Sequence, residues 1–433
     1  MSDAPIGRAA ILAIGSELLS TSRVDTNSLF ITGALNEIGI EVIFKAVVGD
    51  DRAELAAQFA HARQRADLIV LTGGLGPTED DLTREVVAEV LELPLSEDLA
   101  ITDSIRRRFA MRGWKMPEIN RRQAMVPSGA VVLANANGTA PGLWIEVSDK
   151  AFALLPGPPR EMKPMLERII AERLRARTGD VRLVRRVLKI AGRSESRVEE
   201  LTQPVYSQWR GGNPPIETTI LATPGQIELH LSARGQNEQA LAATLDRAVQ
   251  EIRSVLPNDL FSTDGRALEE VVGQLLRERG WRIALAESCT GGLATSRLTD
   301  VPGSSDYVDR SVVVYSNESK TALLGVPEAL IAETGAVSEP VAAAMARAIC
   351  ERSAADVGVG ITGIAGPTGG SEAKPVGTVC IAVALPAEET EVRTFRFPGN
   401  RELVKTFAAF TAIDMVRRRL VGASANADWD QKK

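Results

Sequence analysis

The chain has 433 residues, too many for a single hydrophobic core, so its length predicts two to four domains. It is 44% hydrophobic and 24% charged, and its formal net charge of -6 argues against nucleic acid as a bulk electrostatic partner. No apolar run approaches the roughly 18 residues of a membrane span. Cys289, Cys350 and Cys380 show no metal-ligand spacing and read as reduced thiols, so a cytoplasmic location is expected.

Residues 9–14 read as a buried strand that ends at Gly15-Ser16-Glu17, too soon broken for a signal core. A helix over 26–38 places Leu29, Phe30, Ala34, Leu35 and Ile38 on one face, and Gly39 stops it. A strand over 41–48, a helix capped by Asp51 and a short apolar strand over 68–71 follow. A helix over 82–93 comes next. Strands and helices alternating in this way predict a doubly wound α/β sheet, which binds ligands at the carboxyl ends of its strands.

The first chemical site lies at such an end, in Thr72-Gly73-Gly74-Leu75-Gly76-Pro77-Thr78-Glu79-Asp80-Asp81. Its glycines let backbone approach a ligand, and the next helix offers N–H groups to a phosphate. Three consecutive acids beside a phosphate cradle suggest a bridging Mg²⁺, although acids also favour a helix N-terminus with no ligand present. No Gly-Lys pair exists in the chain, so the loop is not a P-loop. Arg106-Arg107-Arg108 and Arg121-Arg122 read as solvated faces, and 135–142 is consistent with a plain loop. A strand over 151–155 runs into Pro156-Gly157-Pro158-Pro159-Arg160, a rigid site wall or a helix start.

From about 175 the pattern becomes β-α-β-β-α: strand 181–190, helix 194–206, hairpin 216–222 with 226–233, helix 237–255. The order suggests a KH-like RNA-binding fold, yet no G-x-x-G clamp is present and aromatics are scarce, which favours a spacer or dimerisation module. After a helix over 266–279, the apolar run 281–286 turns at Glu287-Ser288-Cys289-Thr290-Gly291-Gly292 into a periodic segment, 293–298. A strand–turn–helix corner of this kind exposes a hydroxyl beside unpaired N–H groups, as a nucleophile needs. An ordinary serine or threonine cap explains the same residues equally well. A strand over 311–315, a helix over 339–352, strands 357–361, 377–385 and 391–397 and a last helix complete the chain.

Elimination narrows the base. The two histidines, His61 and His230, both precede this region, which rules out a Ser-His-Asp triad built within it. Between 260 and 423 the lysines are Lys320, Lys374 and Lys405, and the tyrosines Tyr307 and Tyr315. Lys320 and Tyr315 lie at and just beyond a strand end. Lys374 sits in a Gly/Ser loop, and Lys405, four residues after Arg401, reads as helix surface. Lysine acts as a base only when neutral, which burial favours. A solvated lysine opening a helix is the plain alternative for Lys320, and Cys289 is the alternative nucleophile, expected to be a buried thiol.

Together these motifs resemble the CinA family (competence/damage-inducible protein A). Residues 286–292, Tyr-Ser-Asn-x-x-Lys at 315–320, 335–340 and 363–370 match its nicotinamide-nucleotide amidase domain. Residues 15–19, 72–81, 137–142 and 155–159 match its molybdopterin-binding-like domain. One departure is Ser311, where glycine is common in the family. The resemblance implies a MogA/MoeA-like α/β domain over 1–174, a KH-like α+β module over 175–258, an α/β amidase domain over 259–423 and a flexible tail over 424–433. It further implies hydrolysis of nicotinamide mononucleotide to nicotinate mononucleotide and ammonia, with Ser288 as nucleophile, Lys320 as base, Tyr315 supporting and Ser305 extending the network. Thr290, Gly291, Gly292, Thr362 and Gly363 would hold the oxyanion or phosphate without any cofactor, and Arg401 the phosphate charge.

For the N-terminal domain the resemblance implies a Mg²⁺-dependent ADP-ribose pyrophosphatase. Gly73, Gly74, Gly76, Thr78, Asn137, Gly138, Pro156 and Gly157 would form the phosphate loop, with Glu17, Asp80 and Asp81 toward the metal. A homodimer is implied, with neither membrane nor nucleic acid as partner. Two other readings stand beside this one: a non-hydrolytic pterin- or nucleotide-binding N-terminal module, and a competence or DNA-damage partner.

Overall fold

The computed structural model describes residues 4–21, 23–179 and 181–423, in two compact units; the tail expected over 424–433 lies outside them. The first unit comprises the chain up to Val184 together with Arg234–Leu241. Its elements are β1 (Arg8–Ile14), α1 (Asn27–Glu37), β2 (Glu41–Val48), α2 (Arg52–Arg65), β3 (Leu68–Thr72), α3 (Thr83–Val90), β4 (Leu95–Glu97), α4 (Leu99–Ala110), β5 (Met125–Pro127), β6 (Val131–Leu133), β7 (Gly142–Val147), β8 (Lys150–Leu155) and α5 (Pro159–Ile169).

Six strands form one sheet in the order β2-β1-β3-β8-β7-β6. The first four are parallel, as alternating strands and helices predict, but β7 pairs antiparallel with β8 and β6 antiparallel with β7. That edge was not legible because β7 turns directly into β8 at Ser148, which takes a positive φ of 59° without a glycine to announce it. Alternate residues of the central strands feed two cores. Ile11, Val70 and Ala153 pack with Ile31 and Leu35 of α1, whereas Leu12, Leu71 and Leu154 pack with Leu55 and Phe59 of α2. Asp51 caps α2 by accepting from the Glu54 N–H at 2.8 Å, as expected.

The second unit holds in its first half most of β9 (Arg182–Ala191), α6 (Glu195–Tyr206), β10 (Ile216–Thr223), most of β11 (Gln226–Gly235), most of α7 (Glu238–Val255) and β12 (Leu260–Ser262). The β-α-β-β-α order appears as read, with one strand that the pattern did not announce. Three-residue β12 pairs antiparallel with β9 and completes a sheet of order β10-β11-β9-β12. A strand so short carries no periodicity to read. The remainder comprises α8 (Leu268–Arg279), β13 (Ile283–Glu287), α9 (Leu293–Thr299), β14 (Val308–Val313), α10 (Asn317–Leu324), α11 (Glu328–Thr334), α12 (Glu339–Glu351), β15 (Val357–Gly363), β16 (Thr378–Ala384), β17 (Glu391–Arg396) and α13 (Arg401–Leu420).

These five strands lie in the order β14-β13-β15-β16-β17, parallel over the first three and antiparallel thereafter. Helix α12 packs very close to β15. A Cβ on Gly358 or Gly360 would lie 2.1 Å from the Ala346 carbonyl oxygen or 2.3 Å from that of Ala342, so both positions need glycine. Helix α13 is tied to the four-stranded sheet through Arg418, buried to 1%, which donates to Asp414, to Asp259 and to the Ala191 carbonyl. No described helix is long and apolar enough to cross a membrane.

Candidate functional site

The apolar residues Ile283–Ala286 bury β13 in the sheet centre, so its last residues emerge where the parallel strands end. Glu287 is wholly buried and pairs with no cation among the described residues. Its carboxylate instead accepts the N–H groups of Gly292 (3.0 Å), Ala294 (3.2 Å) and Thr295 (2.8 Å) and the Thr295 hydroxyl (2.7 Å). A strand residue thereby caps the helix that follows it, and the turn is pinned from inside. Ser311 Oγ lies 2.7 Å from Thr295 Oγ1, whose own hydrogen goes to Glu287, so the serine that departs from the family's glycine donates into this network.

That carboxylate changes which donors remain. Gly292 N–H is spent on Glu287 and Gly291 N–H on the Ser288 carbonyl at 3.1 Å. The expectation that both glycines offer donors to a ligand is therefore corrected. Their role is conformational, with φ of 66° and 92°. Among the described residues no main-chain carbonyl accepts from the N–H groups of Cys289 and Thr290, and the Thr290 hydroxyl is buried without a partner. The main-chain donors of the turn not given to another main-chain group or to Glu287 belong to the residue after Ser288 and the next one.

Ser288 is 7% exposed, and its N–H extends the β13–β15 ladder to the Ile361 carbonyl at 2.9 Å. Lys320 Nζ lies 3.2 Å from Ser288 Oγ. Lys320 enters from the second turn of α10 and is 1% exposed, its amine ringed by the carbonyl oxygens of Val314 (3.0 Å), Tyr315 (3.4 Å) and Ser316 (3.4 Å). No carboxylate among the described residues bonds to it, and burial pushes the amine below the ordinary lysine value. A neutral amine in this cage keeps two N–H donors for carbonyls and a lone pair for the serine proton.

Tyr315 and Ser305 lie elsewhere than expected. Strand β14 ends at Val313, two residues earlier than the apolar run suggested, so Tyr315 starts a loop and is 59% exposed. Its hydroxyl accepts from Arg401 Nη2 at 2.7 Å rather than meeting Lys320 or Ser288. Ser305 is exposed and precedes β14, whereas Ser288 follows the parallel β13. It therefore stands at the opposite end of the sheet, roughly one strand length or 20 Å away, and cannot extend the network. Thr362 is buried beside the corner, its hydroxyl donated to the Ala336 carbonyl at 2.8 Å. A Cβ on Gly363 would lie 2.9 Å from Cys289 Sγ. Cys289 is buried as expected, its thiol pushed up to about 12 by burial, which leaves it unreactive. Lys374 does not float in its loop but donates to the Thr334 carbonyl at 2.8 Å.

The first unit carries a second site, at the ends of β1, β3 and β8. A cavity of ≈ 450 Å³ is lined by Gly73, Gly74, Gly76, Asn137, Gly138, Pro156 and Gly157, with Glu17, Asp80 and Asp81 at its acidic side. Gly73 takes a φ of 105°, and a Cβ there would lie 2.1 Å from the Ile14 carbonyl oxygen. Asp81 proves to be a loop clamp. It accepts from the N–H groups of Gly76 (2.8 Å) and Thr78 (2.9 Å) and from the Thr78 hydroxyl, so Thr78 is bound inside the loop and does not line the cavity. Among the described residues no three His, Cys, Asp or Glu side chains converge on a metal position.

Arginines that read as solvated faces shape this cavity. Arg108 donates to the carbonyls of Asn135 (3.2 Å), Ala136 (2.7 Å) and Gly138 (2.7 Å), and Arg122 donates to that of Thr78 (2.9 Å). Arg84, 1% exposed, braces the glycine loop through the Leu75 carbonyl at 3.0 Å. An arginine among apolar residues on a short helix was the one signal that could have marked it.

Three family descriptions match successive stretches of the chain. Residues 10–176 match the family described as "Probable molybdopterin binding domain", 185–262 the "Damage-inducible protein CinA KH domain" and 265–420 the "CinA C-terminal domain". A CinA-like protein of Koribacter versatilis is 46% identical over 95% of this chain and 100% of its own length. That of Acidobacterium capsulatum is 45% identical, again over 95% and 100%. Among solved structures, the competence/damage inducible protein CihA of Agrobacterium tumefaciens is 37% identical, covering 36% of this chain and 93% of its own, with a TM-score of 0.35.

Proposed function

Since the chain belongs to the CinA family, we propose that its Ser288 corner is an amidohydrolase site acting on the amide of nicotinamide mononucleotide. The observation that carries this reading is the buried Lys320 amine 3.2 Å from Ser288 Oγ, in a stretch, 259–423, that contains no histidine. Neutral Lys320 takes the Ser288 proton as Oγ adds to the amide carbonyl. The N–H groups of Cys289 and Thr290 receive the oxyanion. Lys320 returns the proton to the leaving nitrogen, releasing ammonia, and water then hydrolyses the ester with the same amine as base, giving nicotinate mononucleotide. Arg401, whose guanidinium among the described residues meets only the Gly366 carbonyl (3.0 Å) and the Tyr315 hydroxyl, is free to face the substrate phosphate. Ammonia release from the mononucleotide by the wild-type protein, and its absence in Ser288→Ala and Lys320→Ala, tests the assignment; wild-type rates in either variant overturn it.

The N-terminal cavity supports a second activity of the same metabolic kind, metal-dependent cleavage of ADP-ribose. Magnesium keeps much of its hydration and needs only one or two carboxylates beside ligand phosphates, and Glu17 and Asp80 fit that role once Asp81 is committed to the loop. When bound, the metal offsets the charge of the pyrophosphate oxygens. A non-hydrolytic pterin- or nucleotide-binding module is the competing reading, favoured by the absence of any three-acid cluster among the described residues. Calorimetry with ADP-ribose and a pterin, alongside an AMP-release assay with and without Mg²⁺, separates the two. A role as a DNA partner has the charge of -6 against it, and a gel-shift assay at physiological salt decides that reading. We infer a cytoplasmic homodimer, which size-exclusion with light scattering checks.

A further inference from the structure

The loop that joins β15 to β16 borders the Ser288 corner, and the proton-transfer chemistry leaves its lysine unused. Strand β15 lies beside β13, and the Ile361 carbonyl takes the Ser288 N–H at 2.9 Å. Beyond the strand, the loop is closed at its base. The Ile364 N–H donates to the Thr378 carbonyl and the Gly377 N–H to that of Ile364, each at 2.8 Å. Within it the Ser371 N–H donates to the Lys374 carbonyl at 2.9 Å and the Lys374 N–H to Ser371 Oγ at 3.1 Å. A Cβ on Gly366 would lie 2.5 Å from Val376 Cγ1, so the two limbs are in contact. The loop thus has a shape of its own, and side chains tie it to its surroundings at two points. Arg401 holds the outgoing limb through the Gly366 carbonyl at 3.0 Å, and Lys374 Nζ, on the returning limb, donates to the Thr334 carbonyl at 2.8 Å.

The second tie leads back to the corner. Thr334 is the last residue of α11, and the final carbonyls of a helix lack partners within it and attract a cation. Gly335 makes room for the amine. Its φ is 78°, and a Cβ there would lie 3.1 Å from Lys374 Nζ. The next residue, Ala336, accepts the Thr362 hydroxyl on its carbonyl at 2.8 Å. Ser338 Oγ, 2.9 Å from Thr334 Oγ1, donates to the Gly335 carbonyl at 2.8 Å and makes 334–338 one unit. Thr362 is 1% exposed and directly follows Ile361, the acceptor of the Ser288 N–H. A continuous set of contacts therefore runs from the Lys374 amine through 334–336 to the residue beside the nucleophile's own partner. A single charge-assisted bond is enough to set a loop's position and is small beside the core that holds the sheet.

An amide brought to Ser288 Oγ puts its ring over a neighbouring strand end. On the β14 side that space is filled by the cage around Lys320, which leaves the β15 side. We propose that Lys374 is a positioning residue: its tie to Thr334 sets the wall, made by Thr362 and the 365–376 loop, against which the amide-bearing ring is seated. The proposal rests on the amidase reading. Steady-state ammonia release from nicotinamide mononucleotide is measured for full-length wild type, Lys374→Ala, Lys374→Arg, Thr362→Val and the Lys374→Ala/Thr362→Val pair. A loosened wall beside an intact nucleophile and base predicts a KM raised about tenfold in Lys374→Ala. Its kcat should stay within about threefold and the pH dependence of kcat should not move. Lys374→Arg should restore most of the loss, because one carbonyl asks for one cationic donor. The paired variant should lose little more than the worse single one, since both changes break the same set of contacts. An unchanged KM in Lys374→Ala overturns the proposal and leaves the amidase reading standing. Losses that multiply in the paired variant overturn it as well, since the two residues would then act separately. A lowered kcat with a lowered thermal transition and no change in KM also overturns it, because the lysine would then only support the fold. If the wild type releases no ammonia, the amidase reading falls and takes the proposal with it.

Discussion

Two turns at the ends of parallel strands, 287–292 and 73–81, look alike in the sequence and are built for opposite purposes. Each has glycines in left-handed conformations and a carboxylate that binds the turn's own N–H groups: Glu287 in one, Asp81 in the other. At 287–292 the Ser288 hydroxyl and the Lys320 amine are almost wholly buried, and carbonyl oxygens surround the amine. At 73–81 the turn opens on a wide cavity whose charges, Glu17, Asp80, Arg108 and Arg160, come from side chains at its rim. The difference teaches how each can act. A covalent nucleophile needs a dry place that keeps a lysine neutral, whereas a cradle for a pyrophosphate can stay wet and let the ligand bring its own charge and cation.

The contrast predicts unequal sensitivities. Ser288→Ala or Lys320→Ala should lower ammonia release by roughly a thousandfold or more, because nucleophile and base act as a unit. Nothing at the N-terminal cavity should respond to either, and AMP release assayed in the same variants would break the separation if it fell. Glu287→Gln keeps the shape but loses the charge that holds three N–H groups. It should cost about 2 kcal/mol of stability, read as a lowered calorimetric transition, together with a loss of amidase activity. Asp81→Asn should cost less, about 1 kcal/mol, since its loop is partly exposed. Asp80→Asn should leave stability alone and raise the Mg²⁺ concentration needed for AMP release, which tells a clamp from a metal ligand.

Acidity sharpens the comparison further. Lys320 is pushed down by burial, so it becomes neutral at a lower pH than a free lysine, and kcat/KM for the amidase should rise with pH along a limb centred below about 10.4. In that window the unfolded chain binds the extra proton, so this lysine's contribution to stability grows as pH rises and is lost as pH falls through its folded value. The smallest effect belongs to Tyr315→Phe. The phenol only holds Arg401, so a loss of about tenfold or less, seen in KM rather than kcat, is expected.

Much of this was legible residue by residue. The strand–turn–helix corner, the elimination of histidine and the spacing from Tyr315 to Lys320 pointed to the pair that the fold brings within 3.2 Å. The same reading left Ser305 to the family resemblance, since a serine in a turn carries no sign of which end of the sheet it faces. It left Lys374 in a Gly/Ser loop because nothing local says that its amine reaches the Thr334 carbonyl. Glu287 went unremarked, since a glutamate closing an apolar strand looks like any residue meeting solvent until the helix behind it folds back.

The sequence by itself determined the order of elements, the two alternating α/β regions and the chemistry available in each, because periodicity, glycines and the absence of imidazole are properties of the chain. Only the tertiary structure decided which acids were free and which were spent, which N–H groups still faced outward, and which lysine lost its water. Those outcomes depend on groups remote in sequence competing for the same few donors, acceptors and solvent, and no local pattern records who wins.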